Sequence, residues 1–342
     1  MANSNTRPRL LGAAVLLSLA VAVVGGGCGS DDGETLTVYS GRHYGIETAF
    51  DEWSEETGIE VEFLTGNDAE LRERIAAEGE DTEADVYLTV DAGNLWAGGE
   101  DGIFQSLESD VLEGAIPDEL QDEQNRWFGL AVRNRTIVYN TDLVEAADVP
   151  TTYAELGDPE YEGRVCMRNA NNDYQQSLVA SMIAADGEDA TVETLEGWAA
   201  NAEIFANDVE LLEAMAVGAC EIGVVNHYYL ARMLEEDPDA PIALLWAEQE
   251  GRGVHTNISG GGVTRYADDV DLAEQFLEWL ATDGQDTLVA DNHEYPANPD
   301  VEAEPLIRDT FGTDFVRDPL RSDVLGSLND DAVRAMDTAN FG

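Results

Sequence analysis

Along residues 35–100 the apolar positions switch repeatedly between a two-residue and a 3.6-residue period. "TLTVYS" reads as a strand, and "GIETAFDEWSEETG" as an amphipathic helix closed by Gly58. "IEVEFLTG" and "DAELRERIAAEGE" repeat the pair; "ADVYLTV" adds a third strand ending at Asp91, and "AGNLWAGGEDG" opens the next helix. Strands alternating with helices at this spacing predict a parallel sheet covered on both faces. Ligands in such sheets bind outside the carboxyl ends of strands. "YSGRHY" and "TVDAG" both stand at such ends.

"RWFGLAVRNRTIVYNTDLV" gives two extended runs with a crossover between them, because "TIVYN" begins a fresh pattern. The β–α alternation then restarts at "TTYAELGDPEYEGRVCMRNANNDYQQSLVASMIAADG" and runs through helices "TVETLEGWAANAEIF" and "VELLEAMAVGAC". "EIGVVNHYY" and "IALLWAE" read as strands, "TNISGGGVTR" as a return strand, "DVDLAEQFLEWLATDGQDTLV" as helices, and "NHEYPANP" as a loop. The 342 residues are enough for two domains. The pattern predicts an α/β protein of two doubly wound lobes joined by a hinge, with a cleft between them. Lobe 1 is expected over 35–132 and 257–305, and lobe 2 over 133–256 and 306–342.

The N-terminus changes the picture of where this chain works. "RPRL" supplies positive charge, "LGAAVLLSLAVAVV" is a short apolar run, and "GGGCGS" places small residues before Cys28. That order is similar to a lipoprotein signal over residues 1–27, with lipid on Cys28 and a linker over 28–34. An uncleaved membrane anchor is the other reading. Either one puts the remainder outside the cytoplasm, on the outer face of the cell membrane.

Charge narrows the partners. The chain carries 71 acidic residues against 17 basic ones, all arginine, for a net charge of −54. Such a chain repels itself at low ionic strength, and a Debye length of about 3 Å at 1 M salt removes most of that penalty. The acidity reads as adaptation to a very salty medium, as in haloarchaeal proteins. Nucleic acid is excluded as a partner for want of a basic patch. Outside the cytoplasm Cys166 and Cys220 are either a disulfide or two buried thiols. Asn134 and Asn257 begin glycosylation sequons, a weak motif here because both fall near the expected hinge.

Candidate chemistry lies in the tyrosines. "RHY" and "NHYY" set His43 beside Tyr44, and Tyr228 beside Tyr229, at the ends of apolar runs. Together "LTVYSGRHYGIETAFDEWSEETGIEVEFLTG", "ADVYLTVDAGNLW", "NANNDYQQSLVASMI", "EIGVVNHYYLAR" and "NHEYPANP" resemble the ferric-ion-binding solute receptors of bacterial and archaeal iron ABC importers. The resemblance runs in order over roughly residues 35–340. Its opening strand–helix is shared by many solute receptors; "NHYY" with "NNDYQQS" is far narrower. It implies a class II periplasmic-binding-protein fold, no enzymatic activity, a monomer, and delivery of Fe(III) to an ABC permease.

The same resemblance implies the ligand set: His43 and Tyr44 from the first lobe, with Tyr174, Tyr228 and Tyr229 from the second. It also implies an arginine near the tyrosines, at Arg133. One branch of the family uses a glutamate and a bound anion instead. Here only Asp91 stands near that glutamate's location, so a site of nearly all-protein ligands is expected. The chemistry agrees with the residue types. A phenol ionises near pH 10, so only a strongly charged ion drives it to phenolate. Hard phenolate oxygen suits Fe(III), whereas a soft-metal site would show cysteines or several histidines. Four phenolates around Fe(III) leave a charge of −1, which Arg133 would offset.

Single features keep plainer readings. Adjacent residues on a strand face opposite ways, so one of Tyr228 and Tyr229 could be core. Asp91 and Arg133 could form a hinge salt bridge, and His227 is expected in the site's surroundings or exposed. The competing function is the same fold binding an oxyanion or organic solute through Arg42, Arg133 and Asn171. A secreted metalloenzyme is disfavoured, since no HExxH, paired catalytic carboxylates or serine elbow stands out.

Overall fold

The computed structural model describes residues 34–42 and 45–342. Residues 1–27, expected as a signal segment, Cys28, and the pair His43–Tyr44 lie outside the described residues.

The first block alternates as its pattern predicts. β1 (Thr35–Ser40), α1 (Glu47–Thr57), β2 (Glu60–Thr65), α2 (Asp68–Glu78), β3 (Val86–Thr89) and α3 (Ala92–Glu100) follow in turn, then a short α4 (Asp110–Ala115). β1 pairs in parallel with both β2 and β3. Gly58 closes α1 in the left-handed region at φ 77°, where a side chain would be strained. Asn67 caps α2, and the Asp91 carboxylate caps α3 by accepting from the Gly93 and Asn94 amides.

The two extended runs are one continuous strand, β4 (Phe128–Asn140). What changes along it is the partner. Its first half, to Asn134, pairs antiparallel with the return strand β9; from Arg135 to Tyr139 it pairs with β7. Both strands therefore run from one block of the molecule into the other.

The second block holds β5 (Val165–Arg168), α5 (Asp173–Asp186), α6 (Glu188–Asn201), β6 (Ala202–Phe205), α7 (Asp208–Ala216), β7 (Ile222–Asn226), α8 (His227–Glu236) and β8 (Ile242–Leu245). β9 (Thr256–Val263) returns to the first block. There it leads into α9 (Val270–Ala281), α10 (Gln285–Ala290) and the two-residue β10 (Tyr295–Pro296). α11 (Pro305–Phe311), α12 (Ser322–Ser327) and α13 (Asn329–Ala339) complete the chain. The ten strands among the described residues join in the order β2-β1-β3-β9-β4-β7-β5-β6, with β8 and β10 added along β4. The run "SGGGV" in β9 is explained by close approach: a Cβ on Gly260 or Gly262 would meet the carbonyls of Phe128 and Arg126.

Two elements differ in kind from their expectation. The helix expected over "TVETLEGWAANAEIF" ends at Asn201, and the last four residues of that run are the strand β6. "EIGVVNHYY" is not a strand throughout; β7 stops at Asn226 and α8 begins at His227. The helical spacing of buried His227, Tyr228, Leu230 and Ala231 continues past the doublet. Aromatic residues favour strands in isolation, and here the tertiary setting of a β–α unit overrides that preference.

Cys166 in β5 and Cys220 just before β7 are joined in a disulfide, with Cα atoms 5.9 Å apart. It staples two neighbouring parallel strands at their start. Asn134 and Asn257 are both buried within strands, which removes them as glycosylation acceptors. Among the described residues no helix is long and apolar enough to cross a membrane.

Candidate functional site

Tyr174 is the second residue of α5, and Tyr228 and Tyr229 are the second and third of α8. These helices follow β5 and β7, which pair in parallel. Helical side chains lean toward their helix N-terminus. All three phenols are therefore carried over the carboxyl ends of adjacent strands, where open sheets bind ligands. The first-turn amides add a partial positive charge that favours an anionic oxygen.

The placement resolves the strand-face question for the doublet. On a strand the two rings would diverge; on the first turn of a helix their centroids lie 4.4 Å apart. Tyr228 is buried and shares a side-chain hydrogen bond with Tyr174. Asn226 donates to its hydroxyl at 3.1 Å. Tyr229 is partly exposed and hydrogen-bonded to Arg168.

Arg133, on β4, donates to the Tyr174 hydroxyl at 3.3 Å. Its guanidinium carbon lies 5.5 Å from the Tyr174 ring and 5.6 Å from that of Tyr228. Arg232, one turn along α8, lies 5.4 and 5.7 Å from the rings of the doublet. Three arginines thus surround three phenols, in a chain with 71 acids and only 17 basic residues.

Behind Arg133 stands a carboxylate that the sequence did not single out. Glu294 is fully buried and holds Arg133 and Arg42 at 2.6 Å each. Burial favours its neutral acid, but the two guanidiniums prevail and keep it below the usual carboxylate range. The trio carries a net charge of +1. "NHEYPANP" gives no signal for this, because burial, not residue type, distinguishes Glu294 from other acids.

The electrostatics of the phenols follow from the same geometry. Burial, then the neighbouring Tyr174 and Tyr229, push the Tyr228 hydroxyl well above its ordinary range, with Arg133 opposing. Tyr228 is a neutral phenol at neutral pH, and ionising it needs a concentrated positive charge at the oxygen.

Other expectations divide. Asp91 does not meet Arg133; it caps α3 and accepts from the Asn257 side chain at 2.7 Å. Burial and the nearby Asp173 push Asp91 up to about 7. A cavity of about 290 Å³ opens beside it, lined also by Arg72, Asn94, Asp173 and Gln176. His227 is not exposed: it is fully buried with its ring 5.8 Å from that of Tyr228, accepts from the Asn134 amide at 3.2 Å, and burial pulls it down to about 3. His43 and Tyr44 are outside the described residues, but Arg42 immediately before them is fixed against Glu294.

A two-lobed α/β chain with convergent polar groups at strand ends defines a class of protein, the solute receptor. Residues 84–312 match the family model described as bacterial extracellular solute-binding protein. The chain belongs to that family and has the class II periplasmic-binding-protein fold, a binding protein and not an enzyme. It is 38% identical to iron uptake protein A1 of Synechocystis sp. over 90% of this chain and 88% of that one. The Trichodesmium IdiA (FutA) structure, in complex with iron and citrate, matches 90% of this chain and all of that one, at 34% identity and a TM-score of 0.85. A ferric binding protein from Campylobacter jejuni matches the same shares at 28% identity and a TM-score of 0.83.

Proposed function

We propose that this protein is the extracytoplasmic receptor of an iron importer, capturing Fe(III) in the cleft and delivering it to an ABC permease. The observation that carries the reading is the convergence of Tyr174, Tyr228 and Tyr229 beneath Arg133. His43 and Tyr44 complete the proposed ligand set. The lobes are 35–132 with 257–305, and 133–256 with 306–342, turning about β4 and β9.

The charges support Fe(III). Four phenolates and a neutral imidazole around a trivalent ion carry −1, and the Arg42–Glu294–Arg133 trio opposes that with +1. Each phenol releases its proton to bind, so affinity falls as pH falls. An oxyanion site wants uncommitted guanidiniums, whereas Arg42 and Arg133 are both already paired to Glu294. The chain works as a monomer held to the outer face of the membrane through lipid on Cys28.

The test is the absorption spectrum of protein loaded with Fe(III). Phenolate-to-iron charge transfer should give a visible band, and Tyr229→Phe should weaken it together with affinity. A colourless protein with full iron content would remove the phenolate site.

A further inference from the structure

Where β4 and β9 pass between the two blocks, Arg133 and Asn257 are direct cross-strand partners. Arg133 turns to the tyrosines; Asn257 makes a different set of bonds. Its Nδ2 donates to Asp91 Oδ2 at 2.7 Å and to Ser177 Oγ at 2.9 Å. Its Oδ1 accepts from the Ala92 amide at 3.0 Å and from the Ile258 amide at 2.8 Å. A carboxamide has two donor hydrogens and two lone pairs, and all four are engaged. The residue is 3% exposed, so water does not compete for them.

These partners belong to different parts of the molecule. Asp91 and Ala92 form the start of α3, behind β3 in the first block. Ser177 is on α5 in the second block, and its hydroxyl bonds the Tyr174 carbonyl at 3.1 Å. The same hydroxyl meets His255 Nε2 at 3.2 Å. A continuous run of hydrogen bonds therefore passes from the mouth of α3, through Asn257 and Ser177, to the backbone of Tyr174.

We infer that Asn257 is a positioning residue for the cleft: its side chain fastens the start of α3 to α5 and sets the separation of Tyr174 from the start of α3. Two-lobed receptors close by rotation about their crossover strands. A bolt at that axis narrows the range of openings the free protein explores, so less freedom is lost when the cargo is held. The cargo in this account is the Fe(III) of the preceding section, but the bolt itself is a property of the metal-free protein.

The experiment uses the full chain with Asn257→Leu, which keeps the branched shape and removes all four side-chain bonds, and with Ser177→Ala. The second leaves the bonds to α3 and removes the link to α5 together with the serine's bonds to the Tyr174 carbonyl and His255. Thermal unfolding is measured first, so that readings are taken well below both transitions. In the metal-free protein, small-angle scattering should show a wider spread of lobe separations. Amide exchange in the first turn of α5 should quicken about tenfold, the scale of losing one or two buried hydrogen bonds. In iron-loaded protein, release to excess chelator should quicken about tenfold while the charge-transfer band keeps its position, because the ligands are unchanged. The double variant should add little to Asn257→Leu alone. Should Asn257→Leu fail to fold, Ser177→Ala carries the same readouts. Metal-free scattering and exchange matching the unsubstituted protein in whichever variants fold would overturn the inference. A wild-type protein that takes up no iron would instead overturn the Fe(III) reading, and the metal-free measurements would still decide the bolt.

Discussion

Glu294 is one acid among 71, yet among the described residues it is the carboxylate that Arg42 and Arg133 share. Its importance comes from full burial between two guanidiniums, one beside the HY pair and one against Tyr174. Breaking a buried ion pair leaves charge uncompensated and costs about 3–5 kcal/mol. Glu294→Gln should therefore lower stability by about that amount in urea unfolding, although it preserves the shape. A loss under about 1 kcal/mol would show that the two arginines find other partners. The phenols differ in legibility for a related reason. Tyrosine at a strand end is visible in the sequence, but whether two neighbours converge or diverge depends on one torsional choice. That choice was made at Asn226, where β7 gives way to α8.

At the scale of elements, α8 has to be held as well as formed. Its first turn carries the doublet, and further along Arg232 bonds Asn292 and Glu235 faces His293 Nε2 at 3.4 Å. His293 Nδ1 is hydrogen-bonded to Glu304, ahead of α11. The Glu304 hydrogen bond raises the His293 pKa; burial opposes it, the charges of Glu304 and Glu235 add to it, and Arg232 opposes. With the folded value above the ordinary imidazole range near 6.5, this stabilisation is full below that range. It is lost as pH rises through the raised value. The melting-temperature difference between the wild type and His293→Gln should thus be larger at about pH 6 than at about pH 9. Equal differences at the two pH values would mean that the imidazole holds α8 only through its neutral form.

For the whole molecule, charge is the dominant fact. A net charge of −54 on 342 residues opposes compaction wherever it is unscreened. The buried ion pairs are few beside the exposed acids, and screening reaches the exposed ones most. Raising sodium chloride from about 0.1 M to about 2 M should raise the melting temperature by ten degrees or more, on the order of a few kcal/mol. Sucrose at matched osmolality should do less, because it excludes volume without screening charge. An equal effect of both would make the acidity irrelevant to stability.

The sequence by itself determined the β–α alternation of the first block, because helix and strand periods are local and each is closed by its own turn residues. Gly58, Asn67 and Asp91 mark helix ends from within a few residues. For the site it supplied candidates and a resemblance, "NHYY" with "NNDYQQS", while residue types alone left one tyrosine of the doublet free to be core. Tertiary structure alone decided that β4 is one strand serving two sets of partners, as that depends on β9 and β7 arriving from over eighty residues away. It alone decided that Glu294 and Asn257 matter, one as the anion between two arginines and one as a bond across the crossover. Both roles rest on burial and on partners distant in the chain, and neither leaves a period or a motif to read.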